Sequence, residues 1–273
     1  MLKRQASAAL AIALSAAAMA SCSSDNPKTS SPQTSATSPA AADQLPQGDA
    51  PVHLDPAHFT TEIDNPYWPM KPGTRWTYRE TDGEGGVAKV VVIVTNLTQK
   101  MANGITARVV RDTVTEDGQI VEDTNDWYAQ DAQGNIWYLG EETAEFEDGK
   151  VSSRAGSFEA GVDGALPGIA VPAAPQAGME YRQEYYRGQA EDSGRVLSID
   201  ELAQVPAGRY RDALLTKDFT PLEPDLLEYK LYAKDVGPVL TLTASGGAGR
   251  EELLTMDHVS GAEGTGPLGH PHS

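Results

Sequence analysis

Five short turn sequences, each containing a glycine, divide the middle of the chain into segments of similar length. The turns are Asp82-Gly83, Asn103-Gly104, Asp117-Gly118, Gln133-Gly134-Asn135 and Asp148-Gly149, and successive glycines lie 14 to 21 residues apart. Asn-Gly and Asp-Gly favour positive φ and therefore tight hairpins. The intervening segments are rich in Val, Ile, Thr, Trp and Tyr, which favour strands. The series therefore predicts an antiparallel meander of six strands.

Strand-like segments resume in the second half of the chain, and no window of ten or more residues has a helical period. The predicted strands are Glu180 to Arg187, Arg195 to Leu202, Ala213 to Thr220, Leu226 to Lys234, Val239 to Ala244 and Glu252 to Met256. We therefore predict one all-β domain, residues 52–258, with about 10–12 antiparallel strands and few short helices. A sheet of this size curls into a barrel or half-barrel that encloses a cavity or groove.

Two further features bear on the interior of this sheet. Leu227, Tyr229 and Leu231 alternate with polar or aromatic residues, so we expect the aliphatic set to face inward. Residues 155–178, rich in glycine and proline, interrupt the strand pattern. A loop of this length either covers the mouth of a cavity or crosses between two halves of the sheet, and we favour the crossing.

The N-terminal residues have the pattern of an export signal. A positive start is followed by a short apolar run and then by Cys22, so residues 1–21 are predicted to be a signal peptide. Ala18-Met19-Ala20 is a site for cleavage to a secreted protein. Residues 19–22, in contrast, resemble a bacterial lipobox, which predicts lipidation of Cys22, the only cysteine. We favour the lipoprotein, anchored to the outer face of a bacterial membrane.

The segments that flank the predicted domain are poor in large apolar residues. Residues 22–51 are dominated by Ser, Thr, Pro, Ala and Gln, and residues 259–273 by Gly, Pro and His. Such compositions cannot bury enough surface to offset chain entropy. We therefore expect a disordered tether and a disordered tail.

The formal charge of −18 limits the class of partner. An acidic surface repels phosphate backbones, which argues against nucleic-acid binding. The charge has two interpretations: solubility alone, or binding of a cation or cationic ligand.

The motifs of several catalytic classes are missing from the sequence. It contains no Gly-x-Ser-x-Gly motif and no phosphate-binding glycine loop, and the spacing of His53, Asp55 and His58 matches no zinc motif. No cofactor or metal site is predicted. Carboxylates beside aromatic residues leave a carbohydrate-active hydrolase as an alternative, since a glycosidase uses two acids and a stacking surface.

Two segments, residues 126–141 and 181–192, combine aromatic rings with carboxylates. A dry core disfavours unpaired acids, so these groups are paired, exposed or lining a wet pocket. We expect Trp127, Tyr138, Glu184 and Tyr185 near a ligand cavity. A single bulge reverses the parity of a strand, so the inward member of residues 127–128 stays open.

A structural alternative exists for these acids. Arg182 and Arg187 lie within the same segment as Glu184, and ion pairs between them are as compatible with the sequence as a ligand site.

Three blocks, residues 65–78 (NPYWPMKPGTRWTY), 126–141 (DWYAQDAQGNIWYLGE) and 181–192 (YRQEYYRGQAED), resemble an uncharacterised family of exported bacterial proteins, many of them lipoproteins. The resemblance implies an envelope protein and no catalytic residue. A looser similarity, in the Pro-Gly-x-x-Trp-x-Tyr opening and the strand-rich layout, is to LolA-like envelope carriers with half-barrel folds. Our leading hypothesis is a non-catalytic, membrane-anchored barrel that binds a small or amphipathic ligand. The alternative is an assembly lipoprotein that binds a protein partner.

Overall fold

A computed structural model describes residues 45–271 of the protein. The predicted signal peptide, the Cys22 lipidation site and the tether up to residue 44 lie outside the described residues, as do the last two residues. In the described part of the chain, no helix has the length and apolar character needed to cross a membrane.

The described residues form strands and one short 3-10 helix, Pro56–His58. The strands are β1 (Phe59–Thr60), β2 (Thr74–Thr81), β3 (Val87–Lys100), β4 (Thr106–Glu116), β5 (Gln119–Asp131), β6 (Ile136–Glu147), β7 (Lys150–Ser153), β8 (Phe158–Glu159), β9 (Leu166–Val171), β10 (Glu180–Arg182), β11 (Glu184–Tyr185), β12 (Ser193–Val205), β13 (Gly208–Phe219), β14 (Leu227–Ala233), β15 (Gly237–Ser245) and β16 (Arg250–His258).

All sixteen strands belong to one antiparallel sheet, which is nearly closed into a barrel. The main path runs β10-β12-β13-β14-β15-β16-β2-β3-β4-β5-β6-β9-β11. Its two end strands, β10 and β11, are consecutive in the chain and are separated only by Gln183. The two edges of the sheet therefore meet at one residue, and the predicted all-β barrel is confirmed.

The predicted turns form the hairpins of this barrel. The glycines at 83, 104, 118, 134 and 149 all have positive φ. In the β4–β5 hairpin, Asp117 and Gly118 have φ of 48° and 80°, the conformation in which a two-residue turn matches strand twist. The strand count exceeds the predicted 10–12 because β1, β7, β8, β10 and β11 span only two to four residues.

The segment 155–178 contributes to the sheet itself. Within it, β9 pairs with β6 on one side and with β11 on the other. The segment therefore crosses between the two halves of the sheet, and this crossing closes the barrel.

One end of the barrel is covered by residues 61–72, which precede β2. Ile63, Tyr67 and Met70 are buried, and Met70 N donates to the Ile63 carbonyl. The Asn65 side chain donates to the Gly134 carbonyl at 2.9 Å, tying this segment to the β5–β6 turn. The segment folds back on itself through a turn in which Trp68 N donates to the Asn65 carbonyl, and an isolated bridge joins Ile63 to Met70, so the segment lies across the end of the barrel rather than joining the sheet.

Parts of both segments that were predicted to be disordered are packed against the barrel. Arg182 Nη1 donates to the carbonyls of Gly48 and Ala50 at 2.7 and 2.8 Å. At the other end, Arg111 donates to the carbonyls of Gly266 and Pro267 at 2.9 and 3.0 Å. These segments hold their positions through backbone carbonyls that bond buried guanidinium groups, a contact that composition does not reveal.

Candidate functional site

A cavity of about 180 Å³ lies inside the barrel. Its walls come from one contiguous run of the sheet, β14-β15-β16-β2-β3-β4-β5-β6, and from Ala170 of β9 and Glu184 of β11. The lining residues are Trp68, Tyr78, Glu80, Val90, Val92, Val110, Asp112, Val114, Asp126, Tyr128, Tyr138, Ala170, Gln183, Glu184, Asp192, Glu228, Lys230, Tyr232, Pro238, Thr241, Thr243, Gly249, Arg250 and Glu251. Aromatic rings and carboxyl groups thus share the lining of one cavity.

The rings form a contiguous cluster. The Trp68 ring centroid lies 5.3 Å from that of Tyr128 and 6.2 Å from that of Tyr232. Tyr128 is 5.1 Å from Tyr138. Trp68 belongs to the segment that covers one end of the barrel, so the cluster forms the closed end of the cavity.

Seven of the lining side chains are acids and two are bases. Lys230 Nζ is 2.9 Å from Asp218 Oδ2, outside the lining set. Arg250 Nη2 is 2.7 Å from Glu252 Oε1, which also lies outside it. The two cations are therefore engaged by carboxylates that do not belong to the cavity.

Asp126, Tyr138 and Glu141 form a hydrogen-bonded group. Tyr138 Oη lies 2.9 Å from Asp126 Oδ1 and 2.8 Å from Glu141 Oε2. A phenol has one proton to donate, so the second bond requires a proton on a carboxyl group. Burial raises the pKa of Asp126 to about 7, although the Tyr138 bond opposes this. Burial, and then Asp126, raise the pKa of Glu141 well above its ordinary value.

A β-bulge makes this group possible. Asp126 pairs with Glu141 but Tyr128 pairs with Tyr138, so β6 has one extra residue opposite Trp127. Gly140, with φ of 124°, lies in the bulge, where a Cβ would approach the Phe158 carbonyl oxygen within 2.2 Å. The extra residue brings Tyr138 and Glu141, three apart in sequence, onto the same face of the sheet.

Glu184 and Asp192 form a second pair of acids. Burial, followed by Asp192, raises the pKa of Glu184 well above its usual range. Burial raises the pKa of Asp192 to about 6, opposed by its hydrogen bond to Glu184. A hydrogen bond between two carboxyl groups requires a proton on one of them.

Asp112 has no such partner at one oxygen. Its Oδ1 accepts no hydrogen bond, although the carboxyl group lies inside the barrel, partly accessible from the cavity. Burial, and then Asp126, raise the pKa of Asp112 well above its ordinary value. Nearby Glu251 has its pKa raised by burial to about 7, opposed by Lys230.

The structure places two of the four predicted ligand contacts on the cavity. Tyr138 and Glu184 line it, whereas Trp127 and Tyr185 lie outside the lining set. Trp127 alternates with the inward Tyr128 along β5, and Tyr185 alternates with Glu184 along β11. The parity of each strand explains the placement. Whether any of these residues binds a ligand stays a prediction.

The proposed ion pairs of Glu184 are not the ones formed. Arg182 bonds backbone carbonyls, including that of Pro167 at 2.8 Å. Arg187 Nη2 is 3.8 Å from Asp49, and both side chains are largely exposed.

Several residues that line the cavity were not predicted from the sequence, and β14 shows why. The expectation that Leu227, Tyr229 and Leu231 face the interior is wrong. Glu228, Lys230 and Tyr232 line the cavity instead. Leu231 pairs across the strands with Leu215 and Leu240, forming an aliphatic row on the opposite face. The alternation in the sequence was clear, but it carried no sign of which face encloses a wet cavity.

Asp112 and Glu251 were missed for another reason: nothing local distinguishes them from the other acids of the chain. Asp192 lies within the segment 181–192 that the sequence analysis identified, but it was not among the residues predicted to contact a ligand. As for metals, no group of three or more His, Cys, Asp or Glu side chains in residues 45–271 is arranged to hold an ion.

No family model matches the sequence, and no curated protein matches it. Among solved structures, a candidate exported protein of Bacteroides fragilis with a YmcC-like fold is 15% identical, covers 70% of this chain and 98% of its own, and has a TM-score of 0.42. A candidate lipoprotein of Parabacteroides distasonis is 12% identical, covers the same shares, and has a TM-score of 0.36.

Proposed function

We propose that this protein is an exported lipoprotein, anchored through Cys22 to the outer face of a bacterial membrane, whose barrel binds a small ligand without transforming it. The observation that carries the binding role is the cavity of about 180 Å³, lined by rings and carboxyl groups. Enclosed, ring-lined pockets with a few polar groups are the common form of small-molecule sites.

The acids argue against a purely structural interior. Each buried carboxyl group loses hydration, and unpaired polar groups cost folding free energy. Well-packed hydrophobic residues in place of buried ionic groups often leave stability unchanged or increase it. A cavity that concentrates seven acids therefore has an arrangement that binding, rather than packing, accounts for.

The size of the cavity limits the ligand. An apolar cavity of roughly 150 Å³ holds one benzene molecule. A space of about 180 Å³ therefore fits a ligand of one ring or a short chain. Larger amphipathic ligands would need part of their length outside the barrel.

The hydrolase alternative has less support from the geometry. Glycosidases separate their two acids by roughly 5 to 9.5 Å. Glu184 and Asp192 are bonded to each other instead, and of the pair bridged by Tyr138 only Asp126 lines the cavity.

Native mass spectrometry of the protein purified from the envelope tests the binding role. We expect a small molecule to be retained by the wild type and lost from Val92→Phe, which fills the cavity. Val91→Phe is the matched control, because residue 91 is the neighbour on the opposite face of β3 and does not line the cavity. An empty wild-type protein that co-purifies with another chain would instead support the assembly lipoprotein.

Fractionation of Cys22→Ala tests the anchor. We expect the wild type in the membrane fraction and the variant in the soluble fraction. A soluble wild type would support cleavage after Ala20 and secretion, and a membrane-bound variant would rule out Cys22 as the anchor.

A further inference from the structure

The charge balance inside the barrel indicates which class of ligand the cavity takes, and this inference rests on the proposed binding role. The acids that line the cavity are Glu80, Asp112, Asp126, Glu184, Asp192, Glu228 and Glu251. Its two bases are held by acids outside the lining, as the 2.9 Å contact of Lys230 with Asp218 and the 2.7 Å contact of Arg250 with Glu252 show. The acids of the cavity therefore outnumber its cations, although Lys230 also opposes the raised pKa values of Asp192 and Glu251.

Two of these acids retain an unfilled hydrogen-bond position. The Oδ1 atoms of Asp112 and Asp192 accept no hydrogen bond from the described residues. Asp192 is only 5% exposed, so water does not readily compensate it. Of the other two unpartnered buried atoms, Trp68 Nε1 is a donor on a lining residue and lies beside Gly237, whereas Tyr181 Oη lies beside Gly194, outside the lining set. The atoms of the cavity acids that lack a partner are hydrogen-bond acceptors, so a ligand that binds them must supply a donor.

The ring cluster favours an organic cation. Trp68, Tyr128 and Tyr232 line the closed end, with centroids 5.3 and 6.2 Å from Trp68. The faces of such rings attract cations, more strongly where water is excluded. Their apolar surface also accommodates a carbon skeleton. One ligand class uses both features of the cavity: a positive group with N–H donors on a small hydrocarbon body.

We propose that the cavity binds a small organic ammonium ion of up to roughly ten non-hydrogen atoms. Its N–H groups bond the carboxyl groups of Asp112 and Asp192, and its hydrocarbon part packs against the rings of Trp68, Tyr128 and Tyr232. On binding, the ammonium ion takes the place of the proton that a buried carboxyl group holds, and that proton leaves to solvent. Hydrogen bonds between ionised partners are shorter and stronger than neutral ones, so the acids discriminate against uncharged ligands of the same shape.

Isothermal titration calorimetry in the presence of EDTA tests this assignment with two probes of one skeleton, benzylammonium and benzyl alcohol. We expect wild-type protein to bind benzylammonium at least about tenfold more tightly, the effect of one charged hydrogen bond. Asp112→Asn and Asp192→Asn, which keep the shape of the side chain, are each expected to weaken benzylammonium binding about tenfold. Asp200→Asn is the matched control, because residue 200 is exposed on β12 and does not line the cavity.

The outcomes separate this inference from the binding role on which it rests. Equal affinity for the two probes, lost in Val92→Phe, would refute the ammonium assignment and keep the ligand-binding barrel. Unchanged benzylammonium affinity in both aspartate variants would likewise refute it. A loss in only one variant supports it and identifies the anchoring carboxyl group. A wild-type protein that binds neither probe and retains no small molecule in native mass spectrometry would refute both proposals.

Discussion

Strands β4 and β5 carry acids on both faces. The acid on the outer face is saturated with hydrogen bonds, whereas one acid on the inner face lacks a partner. On the outer face, Asp123 accepts from Arg111 at 2.5 and 2.6 Å, from Thr113 at 2.7 Å and from the Gly269 amide at 2.6 Å. On the inner face, Asp112 is the chain neighbour of Arg111, yet its Oδ1 has no partner. A shift of one residue along β4 separates Arg111, the partner of the saturated acid, from the unsatisfied Asp112.

The difference separates structural acids from candidate binding acids. The outer pair is fully buried and satisfied, so its net contribution comes from geometry and hydrogen bonds. The inner acids are buried without enough donors, so they take up protons, as the raised pKa values of Asp112 and Asp126 indicate. Removing an outer acid should therefore destabilise the fold, whereas neutralising an inner acid should not.

The largest effect is expected from Asp123→Ala. This change leaves the Arg111 guanidinium buried without its carboxylate, and breaking such a pair costs about 3–5 kcal/mol of unfolding free energy. Urea denaturation measures it.

Glu142→Ala is the control for an exposed ion pair, since Glu142 and Arg154 are each about half exposed. Its expected cost is below about 1 kcal/mol. If both substitutions cost the same, the outer pair is not the structural element described here.

The next effect concerns pH. The folded state holds protons on inner acids that the unfolded chain releases above about pH 4. The stabilisation is complete below that value and is lost as pH rises through the folded pKa values, about 6 for Asp192 and about 7 for Asp126 and Glu251. The unfolding free energy should therefore fall between pH 5 and pH 8.

Asp126→Asn tests the residue behind this slope. The amide keeps the shape of the side chain and carries no charge, so the variant should be about 2–4 kcal/mol more stable than wild type at pH 8. The two proteins should be nearly equal at pH 4. Urea denaturation at both pH values measures the difference, and a variant that is less stable at pH 8 would contradict the inner-face interpretation.

A smaller effect is expected from the C-terminal segment. A chain ending at Thr265 lacks the Gly266 and Pro267 carbonyls that bond Arg111 and the Gly269 amide that bonds Asp123. We expect a loss of about 1–3 kcal/mol relative to a chain ending at Gly269. Urea denaturation of the two truncated chains measures it, and equal stability would show that the segment does not support the outer pair.

The hairpins could be predicted because their signals are local. Each turn glycine adopts the positive φ that its dipeptide favours, so the meander followed from short stretches of sequence. Closure of the barrel could not be predicted in this way. It depends on β10 pairing with β12 while β11, one residue later, pairs with β9. Nothing in Tyr181 to Tyr185 records that its two ends belong to opposite edges of the sheet.

Only part of the site could be predicted from the sequence. Composition identifies an acidic, aromatic segment, but it does not show which of the side chains face the cavity. Tyr138 was found from its neighbours, and its inward position depends on the bulge at Gly140. Asp112 lies in an otherwise ordinary strand; pairing of β4 with β5 places it near Asp126, but only the closed sheet brings it near Glu251. The tail was predicted as disordered because its glycines and prolines gave no sign of the buried Arg111.

The smallest effect is expected at Trp127, a residue whose sequence context suggested a ligand contact. Trp127 and Tyr128 are adjacent on β5, but only Tyr128 lines the cavity. Trp127→Phe should therefore change the calorimetric affinity for benzylammonium by less than about twofold, under 0.5 kcal/mol. Tyr128→Leu keeps an apolar side chain but removes a ring face, and a cation–π contact at a desolvated site is worth about 2 kcal/mol. A larger loss in Trp127→Phe than in Tyr128→Leu would mean that the ligand lies on the outer face of β5, and the comparison of the two faces would have to be reversed.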